Sequence, residues 1–169
     1  RAAGAIVIGK SNTPEFGLGS QSYNPVHGTT RNPYDLSRTA GGSSGGAAAA
    51  LAARLLPLAD GSDMMGSLRN PAAFCNVYGL RPSVGLLPAG PLPADDGHGV
   101  PLATDGPMAR SVRDLARLLD VLAGTARFTS ALADVADGPG ALSGRRLGWL
   151  GDLDGHCPTE PGVLALCES

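Results

Sequence analysis

Residues 41–88 read GGSSGGAAAALAARLLPLADGSDMMGSLRNPAAFCNVYGLRPSVGLLP, and this stretch decides the fold. It opens on Gly41-Gly-Ser-Ser-Gly-Gly46, whose glycines let the backbone take positive φ and approach a ligand closely. The alanines and leucines that follow favour a helix from Ala47 to Leu56, which Pro57 terminates. Nearly every face of that helix is small and apolar, so it is expected to be a buried central helix. Its first turn would present free N–H groups and the positive end of the helix dipole to the glycine loop. A second cluster, Gly61-Ser-Asp-Met-Met-Gly-Ser67-Leu-Arg69-Asn-Pro71, follows closely.

Outward from there, Ala5-Ile-Val-Ile8 is an unbroken apolar run of buried-strand length, preceded by what reads as a helix end over Arg1 to Gly4. Such a run fits a parallel or mixed sheet covered on both faces. Residues 10–46 hold Gly, Ser, Thr, Asn and Pro without a sustained period and read as a long ordered loop. Residues 57–110 read as loops joining short strands. Ser111 to Ala123 predicts a helix, with Val112, Leu115, Leu118, Leu119 and Leu122 on one face, Ser111 as cap, Asp114 at the capping-box position and Gly124 past the end. Residues 125–144 read as a surface connection, Leu147 to Leu150 as a strand, and Pro161 to Ser169 as the start of a helix.

Composition bounds the function. A chain of 169 residues with 43% hydrophobic and 17% charged residues is a globular protein with room for one ordinary domain or part of one. A net charge of -2 with scattered arginines offers no footprint for nucleic acid. The longest apolar stretch, Ala47 to Ala59, contains Arg54 and Pro57 and falls short of the roughly 20 residues a bilayer span needs. Cys75, Cys157 and Cys167 are odd in number and widely spaced, which suits reduced thiols in a cytoplasm. The chain opens on Arg1 instead of methionine, so the natural N-terminus is expected upstream, with a signal peptide left open.

Each cluster has a plain reading beside the chemical one. Gly41 to Gly46 has the composition of a flexible linker, but linkers seldom run into a buried helix. It is also rich enough in glycine for a phosphate loop, but the GK[ST] ending is absent. Ser67, after a glycine and four residues beyond Asp63, has the setting of a nucleophile with backbone N–H groups around it. Taken alone, the reading of a turn serine bonded to its own backbone is favoured. His27, His98 and His156 lie far apart, and no metal or cofactor is implied.

Together the two clusters change this balance. The run from Gly41 to Pro88 closely resembles the signature region of the amidase signature family, with Ser43 and Ser67 24 residues apart, as that family's two catalytic serines are. IVIGKSNTPEFGLGSQSYNPVHGTTRNPYD before it and TDGPMARSVRDLARLLDVLAG after it are similar to the same family. The resemblance implies an α/β fold, a three-layer α/β/α sandwich with a mixed central sheet, of which residues 1–169 would be the central portion, truncated at both ends. It further implies a Ser-cisSer-Lys mechanism on a small-molecule amide. Ser67 would attack the carbonyl, and Ser43, in a non-proline cis peptide, would relay its proton. The relay answers the weak nucleophilicity of a neutral serine hydroxyl. Ser44 would assist as a hydrogen-bond partner, the backbone N–H groups of Met64, Met65, Gly66 and Ser67 would form the oxyanion hole, and Asp63 and Arg69 would brace the loop.

Two departures qualify the likeness. Met65-Gly66 stands where the family usually has two glycines, which keeps an N–H but adds side chains equally suited to core packing and to pocket lining. The family's lysine base lies several dozen residues upstream of the first serine, whereas only 42 residues precede Ser43 and the single lysine, Lys10, falls in the wrong segment. Lys10 therefore reads as a surface or structural residue. The expected function is hydrolysis of a carboxamide, with a subunit of a glutamine-dependent amidotransferase or a non-catalytic fragment as alternatives. Neither a nucleic acid nor a membrane partner is expected, and a full-length homo-oligomer is compatible with all of this.

Overall fold

A computed structural model describes residues 2–88, 102–135, 144, 146 and 148–169. The chain divides into two compact units, Arg1–Asp134 and Val135–Ser169. In the second, a helix runs over Val163–Glu168 and the Trp149 indole N–H donates to Glu168 Oε1 at 2.8 Å. Both serine clusters lie in the first.

The stretch read as a long loop contains two small antiparallel ladders: β1 (Tyr23–Asn24) with β2 (Gly28–Thr29), and β3 (Arg31–Asn32) with β4 (Asp35–Thr39). The alanine helix, α1, spans Gly45–Ala52. It starts two residues earlier than the alanines alone indicate and ends before Pro57. Arg54 takes a left-handed φ of 59°, its N–H donates to the Leu51 carbonyl at 3.0 Å, and the Leu55 N–H reaches back to the Ala50 carbonyl at 2.9 Å. That pair of bonds is a Schellman ending, here with arginine in the position glycine usually takes. The Arg110 guanidinium also bonds the Leu51 carbonyl, at 3.1 Å.

Beyond α1, β5 (Leu58–Asp63) leads to a tight turn and α2 (Arg69–Phe74), then β6 (Tyr78–Gly79) and β7 (Thr104–Ala109). β7 lies between β5 and β6, antiparallel to both, with Leu58 opposite Ala109 and Asp63 opposite Thr104. Gly106 in β7 is required by packing, since a Cβ there would run into the Leu80 carbonyl and the Leu68 side chain. α3 (Val112–Ala123) is capped as its sequence predicts. The Asp114 N–H donates to Ser111 Oγ at 3.1 Å, and Gly124 is left-handed at the end. α4 (Arg127–Val135) replaces part of the expected surface connection. The Asp120 carboxylate on α3 accepts the first-turn N–H groups of Phe128 and Thr129, at 2.9 and 2.8 Å, satisfying donors that a helix start leaves free.

Two other expectations need correction. Ala5 to Ile8 is not a buried strand: Ile6, Val7 and Ile8 are exposed, and no described strand pairs with the run. A strand needs a ladder partner as well as an apolar sequence, and the parallel pairing of a mixed sheet is accordingly absent from the described ladders. Gly148 to Leu150 is irregular, with Leu147 outside the described residues, as are Arg1 and the Gly-Pro-Gly at 138–140.

The core joins α1, α2, β7 and the turn after β5, through Ala40, Ala47, Ala48, Leu51, Leu68, Ala72, Cys75 and Met108. Beside it, Asp63 is fully buried at the end of β5. Its carboxylate accepts the N–H groups of Gly66 (2.7 Å), Leu68 (3.2 Å) and Arg69 (3.4 Å), and pairs with the Arg69 guanidinium at 3.0 Å. Burial pushes its pKa up, but the Arg69 side chain and these three backbone donors more than offset that and hold it at about 2. Such a depressed carboxylate contributes stability that is complete above the unfolded value of about 3.9 and is lost as pH falls through the folded one. Asp63→Ala in the intact protein should therefore cost roughly 2–4 kcal/mol in urea denaturation, by leaving buried N–H groups unpaired. Wild-type stability should decline between about pH 4 and pH 2 with a component that Asp63→Ala lacks.

Candidate active site

The site is built where two loops meet at the N-terminus of α1. The first loop runs from Gly41 to Ser44, and the peptide bond between Gly42 and Ser43 is cis. Ser43 and Ser44 are buried, and Ser44 is the N-cap of α1. Its hydroxyl does not cap the helix. It bridges to β5, accepting the Ser62 N–H at 3.3 Å and donating to the Ser62 carbonyl at 3.4 Å.

The second loop is the turn from Asp63 to Ser67. Gly66 sits at φ 111°, and a Cβ there would meet the Asn70 amide at 2.7 Å, so both the conformation and the space call for glycine. Leu68, fully buried, anchors the residue beside Ser67 in the core, while Ser67 itself is half-buried. The two loops are joined by a backbone bond, Ser44 N–H to the Ser67 carbonyl at 3.1 Å. Among the described residues, no bond joins the Ser43 and Ser67 hydroxyls directly; the contact that sets one loop against the other is the backbone one.

The four expected oxyanion donors do not stand alike. The Gly66 N–H is already given to Asp63 Oδ1. Among the described residues no acceptor takes the N–H groups of Met64, Met65 and Ser67. Met64 and Met65 are 52% and 80% exposed and stand outside the core of the described residues. Asp63 braces the turn as expected, with Arg69 on its carboxylate, and it is no proton acceptor near neutral pH because its pKa of about 2 makes it a weak base.

Three further residues escape a reading of the sequence. Arg81 lies 3.6 Å from Asp63 Oδ1 and donates to the Asp63 carbonyl at 3.2 Å. The Asn12 carbonyl accepts the Gly46 N–H at 3.2 Å, and its amide donates to Gly28 and Thr30. Ser22, 1% exposed, donates to the Ser43 carbonyl and accepts the Gly45 N–H, each at 3.0 Å. No local pattern marks any of the three, since each acts across 16 or more residues of chain. The only signal is indirect: a glycine-rich loop without side chains of its own needs partners from elsewhere.

Lys10 is exposed, as are His27 and His156, and His98 lies outside the described residues. Cys75 is buried with its thiol toward the Ala40 carbonyl, and burial pushes its pKa up, so it is a packing residue and not a nucleophile. Among the described residues no cluster of His, Cys, Asp and Glu is arranged to hold a metal ion, and no helix is long and apolar enough to cross a membrane.

Compared with known proteins, residues 1–156 match the Amidase family. The chain is 55% identical over 124 residues to one subunit of a glutamyl-tRNA(Gln) amidotransferase of Thermus thermophilus, covering 73% of this chain and 26% of that one. It is 50% identical over 124 residues to a 6-aminohexanoate-cyclic-dimer hydrolase of Paenarthrobacter ureafaciens, covering 73% and 25%. A solved structure of 6-aminohexanoate cyclic dimer hydrolase complexed with substrate superposes with a TM-score of 0.66 at 49% identity, over 72% of this chain and 25% of that one. The chain spans about a quarter of the length of these relatives. Its fold is that part of the amidase signature fold, and the chain belongs to the amidase signature family.

Proposed function

We propose that the chain carries the nucleophile and the proton relay of an amide hydrolase that cleaves the C–N bond of a linear carboxamide in the cytoplasm. The observation that carries this reading is the backbone bond from Ser44 to Ser67, which sets the turn of one serine against the cis-peptide serine of the other. Ser67 Oγ bonds to the carbonyl carbon while its proton passes to the Ser43 hydroxyl and onward to a base. The N–H groups of Met64, Met65 and Ser67 receive the carbonyl oxygen as it gains charge. The C–N bond then breaks, the amine leaves with the returned proton, and water releases the acid from Ser67 by the same route reversed. Asp63 and Arg69 hold the turn, and Ser44 ties the relay loop to β5.

The base in this scheme is a lysine outside these 169 residues, because Lys10 is the chain's single lysine and stands exposed. Residues 1–169 expressed alone should accordingly hydrolyse simple amides only at background rate. Turnover comparable to that of the intact protein would move the base to Lys10.

A second reading is favoured by the 55% identity to an amidotransferase component: the site would release ammonia from glutamine for transfer within a complex. Copurification with partner chains and a dependence of amide cleavage on them would select it over a free-standing hydrolase.

Both readings place the covalent step on Ser67. Ser67→Ala in the intact protein should abolish hydrolysis with circular dichroism and melting unchanged, since the hydroxyl supplies chemistry and little packing. A serine-directed phosphonate should label the wild type at Ser67. Equal labelling of the Ser67→Ala protein would overturn the assignment.

A further inference from the structure

We infer that Ser22 is a positioning residue for the relay serine, an inference that rests on the amide-hydrolase reading above. Ser22 sits at the start of the first small ladder, 21 residues before Ser43, and is 1% exposed. Every hydrogen-bonding group it owns except one carbonyl is turned on the Ser43 loop. Its hydroxyl donates to the Ser43 carbonyl and accepts the Gly45 N–H, both at 3.0 Å, and its backbone N–H donates to the Gly41 carbonyl at 3.1 Å. The remaining carbonyl accepts the Thr30 N–H at 2.8 Å, fastening Ser22 to the hairpin behind it.

The chemical consequence follows from which peptides are held. The bonds to Gly41 and Ser43 lie on either side of the cis bond, and the bond to Gly45 holds the first residue of α1. With the backbone held both before and after Ser43, rotation about its φ and ψ is restricted, and with it the direction of its Cα–Cβ bond and the arc its hydroxyl can sweep. Ser44 cannot do this work. It is the N-cap by position, but its hydroxyl is engaged with Ser62, and the Gly45 N–H, one of the donors a helix start leaves free, goes to Ser22 instead. One buried hydroxyl therefore satisfies a first-turn donor of α1 and at the same time aims the relay.

A cap alone would affect stability; an aiming role must also appear in the chemical step. The test is made in the intact protein with Ser22→Ala, and with Ser22→Cys as a variant that keeps the volume of the site and only weak hydrogen bonding. Turnover is measured on the folded, monodisperse fraction so that lost stability does not count as lost rate. Ser22→Ala should lower kcat by about 10–100-fold, the scale on which a small misplacement of a catalytic group is felt. KM should stay within about two-fold, because substrate contacts are untouched. Phosphonate labelling of Ser67 should slow in parallel. In a Ser43→Ala background, Ser22→Ala should slow that labelling by less than about two-fold, since residues acting as one unit are not additive.

Folded Ser22→Ala with wild-type kcat, or with a loss confined to KM, overturns the inference whatever happens to its melting temperature. If Ser22→Ala does not fold, the same criterion is read from Ser22→Cys. Failure of the underlying reading looks different: a wild-type protein that neither cleaves amides nor takes the phosphonate at Ser67 removes the hydrolase itself and the positioning role with it. An active, labelled wild type beside an equally active Ser22 variant removes only the role of Ser22.

Discussion

The bond from the Ser44 N–H to the Ser67 carbonyl, with the Ser44 hydroxyl on Ser62 of β5 beside it, is the constraint on which the rest of this structure depends, because it joins two loops carried by different elements. The Ser43 loop belongs to α1 and to the hairpin segment that packs on it. The Ser67 turn belongs to β5, α2 and the sheet. For one backbone bond of 3.1 Å to form between them, each loop must arrive already shaped, since a typical net hydrogen bond of about 1 kcal/mol cannot remodel either. The structure meets that demand twice over. Asp63 gathers the N–H groups of the Ser67 turn around a buried carboxylate, while Ser22 holds the Ser43 carbonyl and, with Asn12, takes the first N–H groups of α1 behind the Ser43 loop.

The two solutions differ in kind, and the difference suits what each loop does. A charged acceptor in the turn draws backbone N–H groups inward, which is why the Gly66 N–H is spent on Asp63 and drops out of the proposed set of oxyanion donors. Neutral partners at the Ser43 loop hold it without placing a charge beside the hydroxyl proposed to pass a proton. The small residues of α1 make this possible. Gly45, Gly46, Ala47 and Ala48 are all buried, and they let the core and the loop that covers the helix start approach its backbone closely.

How much of this is legible in the sequence depends on the range over which each feature is encoded. α3 is readable to within a residue at each end because its cap, its apolar face and its terminal glycine are all local. The serine pair and its cis peptide are readable through a long contiguous motif, and the structure places the cis bond at the expected position. α1 is readable too, but its sequence assigns the end to Pro57, and a left-handed arginine ends it earlier; nothing about Arg54 as a residue type announces that role. β7 hides a glycine and a proline, Gly106-Pro107, inside a central strand, a pair that reads as a turn until its neighbours are known. Ala5 to Ile8 shows the opposite failure, an apolar run that looks like a strand while its pairing lies with no described residue. Ser22, Asn12 and Arg81 are invisible in the sequence because their work is done across the chain and not along it.

The electrostatics of the braced turn also explain why the proposed chemistry draws its base from elsewhere. Three ionisable side chains are described in contact at the Ser67 turn: Asp63, Arg69 and Arg81. Asp63 is held ionised with a pKa of about 2, so it would take a proton only under strongly acid conditions. The guanidinium groups of Arg69 and Arg81 are both committed to Asp63. Asp63, the carboxylate of the cluster, is thus held far from neutrality, where a general base is effective. The arrangement that makes the nucleophile turn rigid thus disqualifies its own charges from the proton transfer. The proposed serine relay through the Ser43 loop leads away from this cluster, so the base it calls for is none of the three charges that hold the turn.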